Sequence, residues 1–342
     1  MPPSDGRLPR FSRFEYIHDL LIAINKTGIQ GSDLKTIQKV LTDRKELFEQ
    51  AKFIAVGKRR SIASGGKIAS DLTRDCISFA IKGDLVRKNV PKEGRFTLTK
   101  NGVMLLQDQK NDEMSNEFLK NITSIYLSTY PRAFHVFMAI FRMVGNQVDI
   151  PDTRNRGNLD SEQLNKILGV RCDAVSLRIL KDLLDQAGFL NWYTHIKGVK
   201  KPVWTIYTTS RIIDIDKIQN SILTGSSIMS EGHKYAIQIN QCNNEEFEEA
   251  IWSEYINLTG NYEEIPVYYW HLRSKVCYKL RISDNVYYNK LITLKNSNNY
   301  RFNWASGSMS GNKAMGNRLK NLPPIVSDGY YMVYVSLSKK KR

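Results

Sequence analysis

Residues 57–106 constrain this chain more than any other stretch. A basic, Gly/Ser-rich segment (57–66) leads into a helix-length run at 67–82. Leu85-Val86-Arg87-Lys88 then reads as a short strand, Pro91-Lys92-Glu93-Gly94 as a turn, and Arg95-Phe96-Thr97-Leu98-Thr99 as a second strand. A further helix begins at Lys100 and carries Val103, Leu105 and Leu106. The order is helix, strand, turn, strand, helix. A small bundle of helices has a thin core, and a two-stranded ribbon gains stability by covering its open side. Preceding apolar runs supply the other helices. Ile17, Leu20, Leu21 and Ile24 recur at helical spacing before Gly28; Leu34, Ile37, Val40 and Leu41 follow Gly31-Ser32-Asp33; a third run spans 47–54.

The phrase Gly94-Arg95-Phe96-Thr97-Leu98-Thr99-Lys100-Asn101-Gly102, ending in Leu105-Leu106, resembles the wing and closing helix of the winged-helix superfamily, a helix-turn-helix architecture. That resemblance implies a helix able to enter a DNA groove and a hairpin beside it that touches the backbone. It sets a first domain at 13–107, after a flexible leader at 1–12.

The same plan recurs. A strongly apolar helix at 131–144 precedes a polar loop at 145–157. A short helix then runs to Leu168. Asp173 caps a helix at 174–187 whose stripe is Ile179, Leu180, Leu183, Leu184 and Ala187, and Gly188 stops it. A hairpin follows, with Trp192, Tyr193, Trp204 and Tyr207. This second winged-helix pattern fills 117–223, including a last helix at 212–223. Residues 224–243 read as a linker with a short strand at 235–239. A third unit, 244–338, shows helices at 247–255, 267–280 and after Ser283-Asp284. Its strands at 300–303 and 330–337 flank a long Gly/Ser/Asn/Lys loop, an enlarged wing. The expected fold class is α+β, mainly α: tandem winged-helix domains with small hairpin wings, and a basic tail at 339–342.

The charge points to a polyanion. The 342 residues carry a formal net charge of +16, and residues 57–100 hold eleven cations against four carboxylates. Charge alone does not choose DNA over RNA. The four cysteines, Cys76, Cys172, Cys242 and Cys277, form no C-x-x-C pair, and the five histidines are scattered, so buried free thiols and no metal or other cofactor are expected. No apolar run approaches the roughly 20 residues of a membrane span, and the first ten residues lack the apolar core of a signal peptide. A cytoplasmic, nucleoid-associated protein is expected, or a nuclear one if the source is eukaryotic.

Candidate DNA contacts in the first domain are Lys58, Arg59, Arg60, Lys67 and Arg74, with Lys92 and Arg95 on the wing. In the second they are Arg171, Ser176, Arg178 and Lys181, with wing residues Lys197, Lys200 and Lys201; Asp182 and Asp185 would repel phosphate from the helix's later turns. In the third they are Arg273, Lys290, Lys313 and Arg318. No enzyme motif stands. The Gly-Lys at Gly66-Lys67 lacks the glycine five positions earlier, and Ile68 replaces the magnesium-binding Ser/Thr of a phosphate loop. Asp214 and Asp216 lack the accompanying Glu-x-Lys strand of a nuclease. The expected function is non-catalytic binding of double-stranded DNA in replication, segregation, transcription or genome defence. The alternatives are a scaffold subunit acting through a protein partner or self-association, and a nuclease with a dispersed site.

Overall fold

The computed structural model describes residues 8–56, 66–107, 114–151, 161–197, 201–217, 227–296, 299–306, 326–327 and 330–339. Among these the chain is α+β and mainly helical, with small antiparallel sheets. The first unit runs α1 (Glu15–Thr27), β1 (Ser32–Asp33), α2 (Leu34–Val56), α3 (Gly66–Lys82), β2 (Val86–Lys88), β3 (Arg95–Leu98) and α4 (Lys100–Gln107). The second opens with α5 (Asn116–Thr129) and runs α6 (Pro131–Arg142), β4 (Gln147–Pro151), α7 (Ser161–Leu168), α8 (Ala174–Gln186), β5 (Leu190–Lys197) and β6 (Lys201–Thr208). A separate sheet follows from β7 (Ser210–Asp214), β8 (Ser227–Ser230) and β9 (His233–Ile239). The third unit runs α9 (Asn244–Thr259), β10 (Val267–Tyr268), α10 (Tyr269–Leu280), α11 (Asp284–Asn296), β11 (Tyr300–Ser306), β12 (Val326–Ser327) and β13 (Tyr330–Lys339).

One topology repeats three times. A helix leads to a short strand, two helices, then two strands, and the last strand lies at the centre of the sheet: β1-β3-β2, β4-β6-β5 and β10-β13-β11. The short first strands were not legible as strands. Ser32–Asp33 pairs with Phe96 and Arg95, and Gln147–Pro151, expected to be loop, pairs with 203–207. Two residues are too few for a period-2 signal, and a strand is stabilised by partners distant in sequence. Three further expectations are corrected. The runs at 34–41 and 47–54 are one helix, α2. The helix at 212–223 is, where described, strand β7 and a 3-10 turn at Ile215–Lys217. The supposed linker contributes β8 and β9, which complete the β7-β9-β8 sheet.

The first two units share one hydrophobic core. Residues 8–12, expected as the end of a flexible leader, are part of it: Leu8 and Phe11 are buried. Phe11 and Phe14 meet the fully buried ring of Tyr126 on α5, each at 6.0 Å, and Phe79 of α3 meets it at 5.7 Å. Gln186 of α8 bridges the same seam, accepting from the Phe14 amide at 2.9 Å and donating to Glu15. The third unit has its own core and joins the second through polar and aromatic contacts. The Tyr278 hydroxyl donates to Gln147 Oε1 at 2.7 Å, Arg281 donates to the same oxygen at 2.8 Å, and Asn191 donates to Asp284 at 2.9 Å.

The Gly94–Leu106 phrase has a mechanical explanation. Thr99 caps α4: its hydroxyl donates to the Asp84 carbonyl at 2.6 Å and accepts from the Gly102 amide at 3.1 Å. Gly102 packs against the backbone of Leu85, and a Cβ there would lie 2.2 Å from the Leu85 oxygen. Gly102→Ala is therefore expected to lower unfolding stability by about 1–3 kcal/mol, the usual cost of overpacking against backbone, measured by denaturant unfolding.

Within the first unit, Arg44 of α2 grips Asp19 of α1 with two N–H donors, one at 2.8 Å. Burial would raise the Asp19 pKa, but hydrogen bonds from His18 and Arg44 outweigh it and hold the group below its ordinary 3.8. The carboxylate's contribution is thus present above the unfolded value and is lost as pH falls through the lowered folded value. Asp19→Asn is expected to cost about 1–3 kcal/mol at neutral pH, as for other hydrogen bonds to charged groups. Its stability should fall less steeply than wild type on acidification below pH ~4, as read by thermal melts across pH.

Candidate nucleic-acid interface

The β2-β3 hairpin of the first unit presents the clearest cationic surface. Strand β2 lies at one edge of the sheet, and beyond buried Val86 both Arg87 and Lys88 are exposed. Asn89 accepts from the Gly94 amide at 3.1 Å and its own amide donates to the Arg95 carbonyl at 2.7 Å, which closes the turn that carries exposed Lys92. Lys82, at the end of α3, and Lys100, at the start of α4, are exposed as well. Among the described residues Arg87, Lys88 and Lys92 have no carboxylate within ion-pair distance. The charge density that phosphate needs is therefore available there without breaking an internal pair. Arg87 and Lys88 were counted in the charge of the stretch but not assigned to the interface. The missing signal was the edge position of β2, which only the pairing order reveals.

The predicted contacts divide sharply. Arg74 on α3 is exposed but held by two acids, Asp71 at 3.0 Å and Asp75 at 3.8 Å. Arg95 is half-buried, donates to the Gly31 carbonyl at 3.2 Å and faces Asp33 at 3.6 Å. Lys67 lies in the first turn of α3; its side chain, with Lys58, Arg59 and Arg60, lies outside the described residues.

In the second unit, Arg171 and Arg178 are exposed around the start of α8, and the Arg171 carbonyl accepts from Arg132 at 2.8 Å. Two expectations fail here. Ser176 is buried, and its hydroxyl donates to Asp173 at 2.6 Å as part of the helix cap. Lys181 is only 2% exposed: its ammonium lies 2.6 Å from Asp182 and 3.3 Å from the centre of the Trp192 ring, with Trp204 at 5.2 Å. Asp185, expected to repel phosphate, instead accepts from the Trp192 indole at 3.2 Å. A flexible cation with an apolar stem satisfies a core that already contains acids and indoles, and helical spacing alone does not separate that role from a solvent-facing one. The aromatic hairpin is likewise internal: Trp204 and Tyr207 are buried, and Tyr193 packs against Tyr278 at 5.3 Å. Lys197 and Lys201 pair in register at the hairpin end; their side chains, and Lys200, fall outside the described residues.

In the third unit Arg273 is 8% exposed and binds Asp284 at 2.9 Å, which corrects its assignment to the DNA surface. Burial would discharge the guanidinium, but the Asp284 charge outweighs burial and holds it protonated. Lys290 is half-buried and donates to Asn244 at 2.7 Å, in a cleft of about 460 Å³ where α5, β9 and α11 meet. Lys313 and Arg318 lie outside the described residues.

Asp214, Asp216 and His233 place ligand-type atoms within 4.8 Å of one another. The Lys234 amide donates to Asp216 at 2.9 Å and His233 lies 3.5 Å from it, so this carboxylate ties β9 to the 3-10 turn after β7. The four cysteines are unpaired, and Cys76, Cys172 and Cys277 are buried; burial pushes the Cys172 thiol up to about 12. No described helix is long and apolar enough to cross a membrane.

No family model, curated protein or solved structure matches this chain. The geometry therefore stands as the ground for any functional reading.

Removing the Arg273 side chain strands Asp284 between the second and third units. Arg273→Ala is expected to cost about 3–5 kcal/mol, the range for breaking a buried pair, in chemical unfolding, and to leave polyanion affinity of the folded protein unchanged. Weaker binding at unaltered stability would place Arg273 in contact with the polyanion.

Proposed function

We propose that this chain is a non-catalytic double-stranded DNA-binding protein built from three tandem winged helices. The carrying observation is the edge hairpin of the first unit, with Arg87, Lys88 and Lys92 exposed and unneutralised. The thrice-repeated helix–strand–helix–helix–hairpin topology supports the reading, because it sets a hairpin beside a helix in each unit, the arrangement that lets one element lie on the phosphate backbone while the other approaches a groove. The net charge of +16 supports a polyanionic partner. The first unit's wing supplies most of the electrostatic anchor. The second unit's helix α8 contributes through its start, at Arg171 and Arg178, because its remaining turns are largely buried. A duplex suits a rigid three-unit array better than flexible RNA loops, which are read by splayed bases.

The test is a salt titration of the purified full chain on a blunt DNA duplex. Binding should weaken steeply with salt, with a slope of about −0.9 per phosphate neutralised. Replacing Arg87, Lys88 and Lys92 together by alanine is expected to make that slope shallower by about 2–3, with unchanged thermal stability because the three side chains are exposed. A salt-insensitive affinity, or a triple variant identical to wild type, would reject the proposal.

A further inference from the structure

We infer that the third unit carries a stacking ledge for an unpaired nucleobase, formed by Tyr334 and Tyr268 at the root of its wing; the inference rests on the proposed DNA-binding function. The three units share one pairing plan, so equivalent positions can be compared. In the first unit the last residue of the short strand, Asp33, pairs in register with Arg95 at the start of the final strand, and the two side chains lie 3.6 Å apart as an ion pair. In the third unit the corresponding register pair is Tyr268 and Tyr334. Their rings stack at 4.7 Å and 29°. Tyr268 continues onto Trp270 at 4.4 Å, and His271 meets Tyr268 edge-on at 5.7 Å. A charged pair in one unit is an aromatic column in the other.

The column is accessible and polarised. Trp270, 6% exposed, backs it, and its indole nitrogen is buried with no acceptor among the described residues. Tyr268 and Tyr334 are half-buried, each keeping part of its surface in solvent. Among the described residues Tyr334 has one ring neighbour, Tyr268. Helix α10 begins beside the column and contains no carboxylate in its twelve residues. Its Lys275 is exposed one turn beyond His271. Of the nearby acids, the Glu263 carboxylate accepts from the Lys339 amide at 3.3 Å, while Glu264 is tied to the Leu337 carbonyl by its backbone amide at 3.1 Å and its side chain is exposed. An aromatic face next to unopposed positive charge suits a nucleotide, base on ring and phosphate on cation. A base inside a duplex has both faces occupied by its neighbours, so the ledge selects an unpaired base flanking the duplex. An acidic or apolar peptide makes less use of this combination of flat ring and cation.

The experiment compares the full chain on a blunt duplex and on the same duplex with a single-stranded tail, by fluorescence anisotropy at fixed salt, with 2-aminopurine at the first unpaired position. One stacked base predicts about ten-fold tighter binding of the tailed DNA, with quenched 2-aminopurine. Tyr334→Leu is expected to abolish that preference and the quenching while keeping blunt-duplex affinity, and Tyr334→Phe to preserve both. Equal wild-type affinity for the two DNAs overturns the ledge but leaves duplex binding intact. So does a preference that survives Tyr334→Leu, or protection of residues 267–271 from hydrogen exchange by a protein partner alone. Failure to bind either DNA rejects the function itself. Where Tyr334→Leu lowers both affinities alike and Tyr334→Phe does not restore the difference, the ring is structural and the inference is rejected.

Discussion

Tyr126 is the hinge-pin of this structure. Its ring is wholly buried on α5, and the aromatic rings of Phe11, Phe14 and Phe79, from the amino-terminal segment and two elements of the first unit, close around it. Three large rings against a fourth add a substantial apolar burial that bridges the two units, and edge-to-face contacts add to it. The consequence is geometric. Because α5 also packs against α6 and α8, the first and second units are parts of one core and cannot reorient without opening it. The second and third units are joined differently, by Gln147, Asn191 and Asp284 and by the Tyr278–Arg281 stack over Tyr207. Directional bonds of that kind fix an angle with little hydrophobic area. The array thus has one seam held by area and one held by orientation.

The distribution of charge follows from the same packing. A buried cation needs a partner, and among the described residues both have one: Lys181 with Asp182 and two indoles, and Arg273 with Asp284. Cations without a carboxylate partner lie at the strand edge and turn, as Arg87, Lys88 and Lys92 do, and on exposed helix faces, as Lys275 does. On β2, Arg87 and Lys88 serve a second physical end, since charges on an exposed strand edge discourage pairing with another chain. Edge protection and phosphate attraction ask for the same residues, and the lack of an ion pair to Arg87, Lys88 or Lys92 among the described residues is compatible with both.

Much of the architecture was legible in the sequence, and the lapses have physical reasons. The helix start at Lys100, the Asp173 cap and the Gly188 stop are local devices, and local chemistry reads directly from residue type. The helical stripes and the 85–98 hairpin were visible for the same reason. The short strands at Ser32 and Gln147 were not, because partners some sixty residues away create them. Leu8 and Phe11 looked like a leader because two apolar residues among prolines carry no periodicity, and only Phe79 and Tyr126 give them a place to go. The site was less legible than the fold. Lys181 and Arg273 occupy helix positions that look outward on a single-unit wheel, yet each is covered by a neighbouring hairpin or unit.

That last failure contains a general constraint on tandem arrays. A helix in an isolated trihelical unit has one face in the core and one in water, so its polar face is a fair guess at its working surface. In this chain that face is covered as well: the β5-β6 hairpin of the same unit lies over α8 through Trp192 and Trp204, and polar residues there become packing groups. In α8 this has gone nearly to completion: Asp182 and Asp185 are the counter-ion and the indole acceptor of an interior network. The freedom lost by α8 reappears at the register pair that closes the sheet of each end unit. Asp33–Arg95 and Tyr268–Tyr334 are each partly exposed, and the backbone pairing that fixes them is independent of which side chains they carry. A position held by main-chain hydrogen bonds and open to solvent accepts an ion pair or an aromatic column at little cost to the fold. It is there, and not on the buried face of a helix, that copies of one plan are free to acquire different surfaces.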